Sequence, residues 1–157
     1  RQIAARLDSM TVPPTDGTLP RDLANGLRGH LAALHGDDAA AIAAFDAMPR
    51  RSSLERIANS PIFALTLERW TRAELLRAAG RTREAAGWYE SMGQWRPDIP
   101  FVVVALLRAG QLRELSGDRA GALEAYRIVV REWRDCEPEV RPLRDEAAAG
   151  IVRLAGR

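Results

Sequence analysis

A chain of 157 residues is long enough for one domain with a substantial core, or for a short solenoid. Its 46% hydrophobic and 28% charged residues exclude a disordered chain, and no apolar run approaches the roughly 18 residues that a membrane span needs. All 23 basic residues are arginine, which excludes a phosphate-loop lysine, a kinase ATP-anchoring lysine and a Schiff base. The net charge of +2 gives little electrostatic footing for nucleic acid despite the pI near 9.3.

In chain order, Arg1–Met10 places Ile3, Ala4 and Leu7 on one helical face and reads as the last turns of a preceding helix, the chain being the excised end of a longer protein. Residues 11–19, with two prolines and a glycine and no periodicity, read as a linker. From Pro20, a good first-turn residue, the stripe Leu23, Leu27, Leu31 and Leu34 predicts a helix ending at His35-Gly36. Asp37 or Asp38 is then expected to cap a second helix carrying Ala41, Ile42, Phe45 and Met48, closed by Pro49. Ser52-Ser53-Leu54-Glu55 has the form of a capping box. Ser60-Pro61 opens a helix to about Ala79, with Phe63, Leu67, Trp70, Ala73 and Leu76 on its apolar face. Thr82 is expected to cap its return, carrying Ala85, Ala86, Tyr89 and Met92. A third pair starts near Asp98-Ile99-Pro100 and turns at Gly117. Asp118 caps the return helix, which turns Leu123, Tyr126, Val129, Val130 and Trp133 inward. The β-branched run FVVVALL at Phe101 passes without a break into helical periodicity and reads as buried helix. After Pro138 and Pro142, residues 143–154 make a last amphipathic helix through Ala147, Ile151 and Leu154. Nothing alternates with the period-two pattern of a strand.

A repeat underlies this order. Gly110 precedes Gly117 by seven residues, while Ala122 follows it by five and Tyr126 by nine. The same offsets give Ala73, Ala85 and Tyr89 around Gly80, and Gly29, Ala41 and Phe45 around Gly36. A glycine inside a helix costs about 1 kcal/mol relative to alanine, so Gly29 and Gly110 need a packing reason. Close approach of the second helix near Ala41 and Ala122 would supply it, with Phe45, Tyr89 and Tyr126 filling the space between one pair and the next.

This small–Gly–Ala–aromatic spacing resembles the tetratricopeptide repeat, a helix–turn–helix unit of about 34 residues. The turn glycines here are 44 and 37 residues apart, so helices or connections exceed the consensus length. The consensus also has an aromatic or large apolar residue near Ala32 and Arg113 and an alanine at Met48, Met92 and Val129. The run GDRAGALEAYRIVVREWRDCEPEVRPLRDEAAAGIVRL further resembles the C-terminal repeat and cap of large bacterial multidomain signalling proteins. In those, helical repeats follow a serine/threonine kinase or a winged-helix transcriptional-activator domain, which would place that domain upstream of Arg1. The resemblance implies an all-α solenoid over residues 20–157: helix pairs at about 20–49, 60–96 and 98–136, and a cap at 139–156. It also implies a concave groove lined by the first helices. Its positions fall on Leu23, His30 and Leu34; on Leu67, Trp70, Glu74 and Arg77; and on Val104, Leu107, Gln111 and Glu114. The lysine and asparagine clamp with which chaperone-adaptor members hold a C-terminal carboxylate has no counterpart.

Little else suggests chemistry. His30 and His35, five apart, diverge by about 140° on a helix and cannot chelate one metal as an i, i+4 pair could. Asp37, Asp38 and Asp118 follow turn glycines, where caps are expected. No serine or cysteine has a nucleophile motif around it. Cys136, the single cysteine, excludes an intrachain disulfide and fits the reducing cytoplasm. Its acidic neighbours Asp135 and Glu137 make it read as an unreactive, structural thiol. The tryptophans Trp70, Trp88, Trp95 and Trp133 read as packing residues, of which one or two could anchor a partner. The expectation is a non-catalytic interaction module without cofactor or metal. Its groove would take a peptide, a protein or a neighbouring domain, with no membrane and no nucleic acid. The alternative is a regulatory segment of a DNA-binding activator, which a steep loss of nucleic-acid affinity with salt would reveal.

Overall fold

The computed structural model describes residues 2–13, 17–49, 64–93 and 96–156, which are helical with no strand among them. The expected capping box at Ser52–Glu55, the Ser60-Pro61 start, Phe63 and Trp95 lie outside the described residues. The chain forms two compact units, Arg1–Leu76 and Arg77–Arg157.

In the first unit, α1 (Gln2–Asp8) packs on α2 (Leu19–Leu34), burying Ala4, and Asp8 pairs with Arg28. The turn to α3 (Asp38–Asp46) is built as the glycine position predicts. Gly36 takes a left-handed φ of +74°, and Asp37 N–H returns to the Ala32 carbonyl at 2.9 Å, capturing an orphan carbonyl of the helix end. Asp37, rather than Asp38, is the cap: its carboxylate accepts from Ala40 N–H at 3.0 Å. Phe45 lies across Gly29, where a Cβ would stand 2.5 Å from the ring. Around it Ala41, Met48 and Leu65 form a core with Ala32, Ala33 and Leu75 against it. Arg72 of α4 (Thr66–Ala78) closes the end of α3 by donating to the Phe45 carbonyl at 3.2 Å and pairing with Asp46.

Two features of this unit go beyond the sequence pattern. Three leucines of the α2 stripe face outward, Leu27 and Leu31 partly and Leu34 at 81% exposure, while Leu23 is half-buried. The buried residues are Pro20, Asp22, Ala24, Gly26 and Gly29. Small side chains admit Phe45, Met48 and Glu68 to the helix backbone, so close packing there wins over burial of leucine on the adjoining face. The helix expected from Pro61 is α-helical, among the described residues, only from Thr66. Leu65, buried at 4%, has a φ of +55°, which takes the chain out of helical geometry just before that start.

The second unit holds α5 (Thr82–Glu90), a 3-10 turn (Arg96–Asp98), α6 (Ile99–Leu115), α7 (Arg119–Glu132) and α8 (Arg141–Ala155), each α-helix packed on the next. FVVVALL is helical, and Pro100 sits in the first turn of α6. Asp98, fully buried, accepts from Gly93 N–H at 3.2 Å and anchors that start. Thr82 is not a cap: it is the first residue of α5, behind Arg81, which offers no side-chain cap. Gly80 and Gly117 repeat the left-handed turn at +71° and +83°, and Asp118 caps Gly121 N–H at 3.0 Å. Where consensus has a large apolar residue, Arg113 ties three helices by polar bonds. It donates to Glu90 at 2.8 and 3.2 Å and to the Gly121 carbonyl at 3.2 Å. The core gathers Leu107, Ala122, Tyr126, Val129, Ala147 and Leu154. The Tyr126 ring is held from both sides, by Gly110 of α6 and Gly150 of α8. Gly110 thus packs on Tyr126 and Ala125 of α7.

Candidate functional site

The eleven expected groove residues divide between the units. Leu23, His30, Trp70 and Glu74 are half-buried in the first, while Leu34 and Leu67 are exposed. His30 meets the Phe45 ring edge-on at 5.2 Å and has Nε2 3.7 Å from Glu68, so it belongs to the packing of the first hairpin as much as to its surface. In the second unit Val104 is half-buried. Leu107 is a correction: it is fully buried among Tyr126, Val129 and Leu154, because α8 covers that side of α6. It cannot line a groove.

Three of the eleven, Arg77, Gln111 and Glu114, come together around one cavity of about 530 Å³. The rest of its wall is Gly80, Thr82, Leu112, Leu115 and Tyr126, with Glu146 and Arg153 from α8. Glu114 is its centre. Arg153 grips the carboxylate with Nε and Nη2 at 2.6 and 2.7 Å, a bidentate pair, and the Tyr126 hydroxyl donates to Oε2 at 2.8 Å. The hydrogen bonds that Arg153 donates to Glu114 raise its pKa above its already high ordinary value. Burial first, and then the hydrogen bond and charge of Glu114, push the Tyr126 phenol well above its ordinary value of 10.0. Beside them Gln111 receives Arg108 at 3.0 Å and donates to Glu146 at 2.5 Å.

The arrangement is a fixed polar floor. Arg153 and the Tyr126 hydroxyl both hold the Glu114 carboxylate, which fixes the shape and charge of the floor. Leu115 stands 78% exposed at the rim and offers apolar surface next to that floor. No cluster of three or more metal-ligating side chains occurs among the described residues, and no helix there is long and apolar enough to cross a membrane. Sequence reasoning missed Tyr126, Glu146 and Arg153 as site residues. Tyr126 was read only as the packing aromatic of the repeat. Glu146 and Arg153 carry only the i, i+7 spacing of one polar helix face, a signal shared by any solvated helix. Comparison of the chain with protein-family models, with curated proteins and with solved structures finds no match.

Proposed function

We propose that this chain is a tetratricopeptide-like repeat module that binds a peptide or protein segment through first-helix surfaces, and that the cavity around Glu114 is part of that surface. The observation that carries the reading is the convergence of Arg77, Gln111 and Glu114 on one cavity. All three are groove positions that the repeat resemblance implies. The left-handed φ shared by Gly36, Gly80 and Gly117 supports a common repeat, as do the ring-on-glycine contacts of Phe45 and Tyr126. A concave site with a few oriented polar groups and an apolar rim suits an extended peptide better than a flat partner.

The test is a peptide selected against the whole chain from a random displayed library. Its affinity is then measured on Arg77→Ala, Gln111→Ala and Glu146→Gln. Loss of a hydrogen bond or ion pair in a desolvated site weakens binding by about tenfold, roughly 1.4 kcal/mol. Affinity unchanged across all three variants places binding elsewhere and overturns the assignment.

A further inference from the structure

His30 carries a buried polar atom that its surroundings leave unsatisfied. Its Nε2 has no hydrogen-bond partner among the described residues, and it faces the Glu68 carboxylate with Oε1 at 3.7 Å. That gap is about 0.9 Å longer than a charge-assisted hydrogen bond. Three helices build the place. On α2, Gly26 and His30 are four residues apart and share a face. The side chain that Gly26 lacks leaves room for Glu68: a Cβ there would stand 3.2 Å from the same Oε1. On α3, Phe45 packs edge-on against the imidazole at 5.2 Å. The first turn of α4 brings in Glu68. The other charges nearby are committed. Arg72 of α4 pairs with Asp46 of α3 and donates to the Phe45 carbonyl, and on α1 Asp8 pairs with Arg28. Arg69, next to Glu68, is buried with a partner of its own. Among the described residues no other cation pairs with Glu68.

We propose that His30 and Glu68 form a proton-operated latch between α2 and α4. In a neutral imidazole, Nε2 either turns a lone pair on the carboxylate or carries a proton in a contact too long for a hydrogen bond. The imidazolium carries a proton on both nitrogens, so Nε2 becomes a charged donor aimed at an anion in a sheltered site. Protonation thus adds a bond that ties α4 to α2, and the latch is closed in the protonated state and open in the neutral one. Imidazole is the side chain whose charge ordinarily changes between about pH 5 and 8, which suits it to such a device. His35, the other histidine, cannot serve in the same way. It is exposed, and its Nδ1 lies 2.8 Å from the Leu31 carbonyl of its own helix, so its charge ties α2 only to itself.

The experiment compares denaturant unfolding of the full chain and of Glu68→Gln at about pH 8 and about pH 5.5. The lower value lies below the ordinary imidazole range and above the ordinary carboxylate range. Both measurements are repeated with His30→Gln in the background. The unfolding equilibrium should favour the parent over Glu68→Gln by about fivefold more at the lower pH than at the higher. That size falls between an exposed ion pair and a buried charged hydrogen bond. In the His30→Gln background the difference should no longer depend on pH. Nuclear magnetic resonance of the imidazole nitrogens gives a second readout, with His35→Gln telling the two histidines apart. At the lower pH the Nε2 proton of His30 should exchange slowly with water in the parent and rapidly in Glu68→Gln. If His30→Gln does not fold, this comparison decides alone, and rapid exchange in the parent overturns the latch. A difference equal at both pH values overturns it as well. So does a pH-dependent difference that survives His30→Gln, because another group then carries it.

Discussion

A Cβ built on Gly150 would stand 2.5 Å from Cε2 of Tyr126, closer than real side chains pack. On the opposite edge of the same ring, a Cβ on Gly110 would stand 2.8 Å from Cε1. The ring thus fills a slot whose two walls are backbone, and it cannot retreat from one without striking the other. Gly150→Ala and Gly110→Ala should each destabilise by about 1–3 kcal/mol through overpacking, although alanine favours a helix by about 1 kcal/mol over glycine. Denaturant midpoints measure this. A variant more stable than the parent would show that the ring has room to move.

The hydroxyl of Tyr126 makes a second, separable contribution. Tyr126→Phe keeps the ring in its slot but removes the donor to Glu114, and a hydrogen bond to a charged group contributes about 1.5–3 kcal/mol. The pH dependence has a definite sign. The folded-state phenol is raised above 10.0, so the folded form holds the proton more tightly than the unfolded chain. The resulting stabilisation is complete below pH 10 and drains away as pH rises toward the folded-state value. The parent should therefore lose stability above pH 10 more steeply than Tyr126→Phe, with phenolate absorbance in the ultraviolet following the ionisation. Parallel pH profiles would remove the hydroxyl from this role.

At the turn between α6 and α7, backbone conformation and capping can be told apart. A Cβ on Gly117 meets nothing within 4 Å, so Gly117→Ala tests the left-handed backbone alone, at about 1–2 kcal/mol. Asp118→Ala leaves the backbone and removes the cap on Gly121 N–H, at about 0.5–2 kcal/mol. The two residues are adjacent, so the double variant should depart from the sum of the singles. Thermal melts of the three variants check this.

Leu107 and Leu34, both expected in one groove, should behave as opposites. Leu107→Ala opens a fully buried position among Ala122, Tyr126 and Val129 and should cost about 2–5 kcal/mol. Leu34→Gln changes a residue that is 81% exposed and should fall within about 0.5 kcal/mol of the parent. A large loss at Leu34 would mean that the leucine face of α2 is covered in solution.

The sequence by itself determined the helices, the two side-chain caps and the three left-handed turns, because these rest on residues no more than five apart. Asp37 with Ala40, Asp118 with Gly121, and the glycine that ends each first helix are local bonds with local signatures. The offsets also marked Gly110 and Tyr126 as packing residues, since a glycine inside a helix and a recurring aromatic each need a neighbour. Only tertiary structure decided which way each helix turned. Apolar spacing identifies a helix but not the side on which a partner approaches most closely. On α2 that side was chosen by Gly26 and Gly29, leaving Leu27, Leu31 and Leu34 outside. On α6, α8 buried Leu107 and brought Glu146 and Arg153 to the cavity. Arg153 finds Glu114 across 39 positions. At this cavity charges pair through space rather than along the chain, so its make-up came from packing.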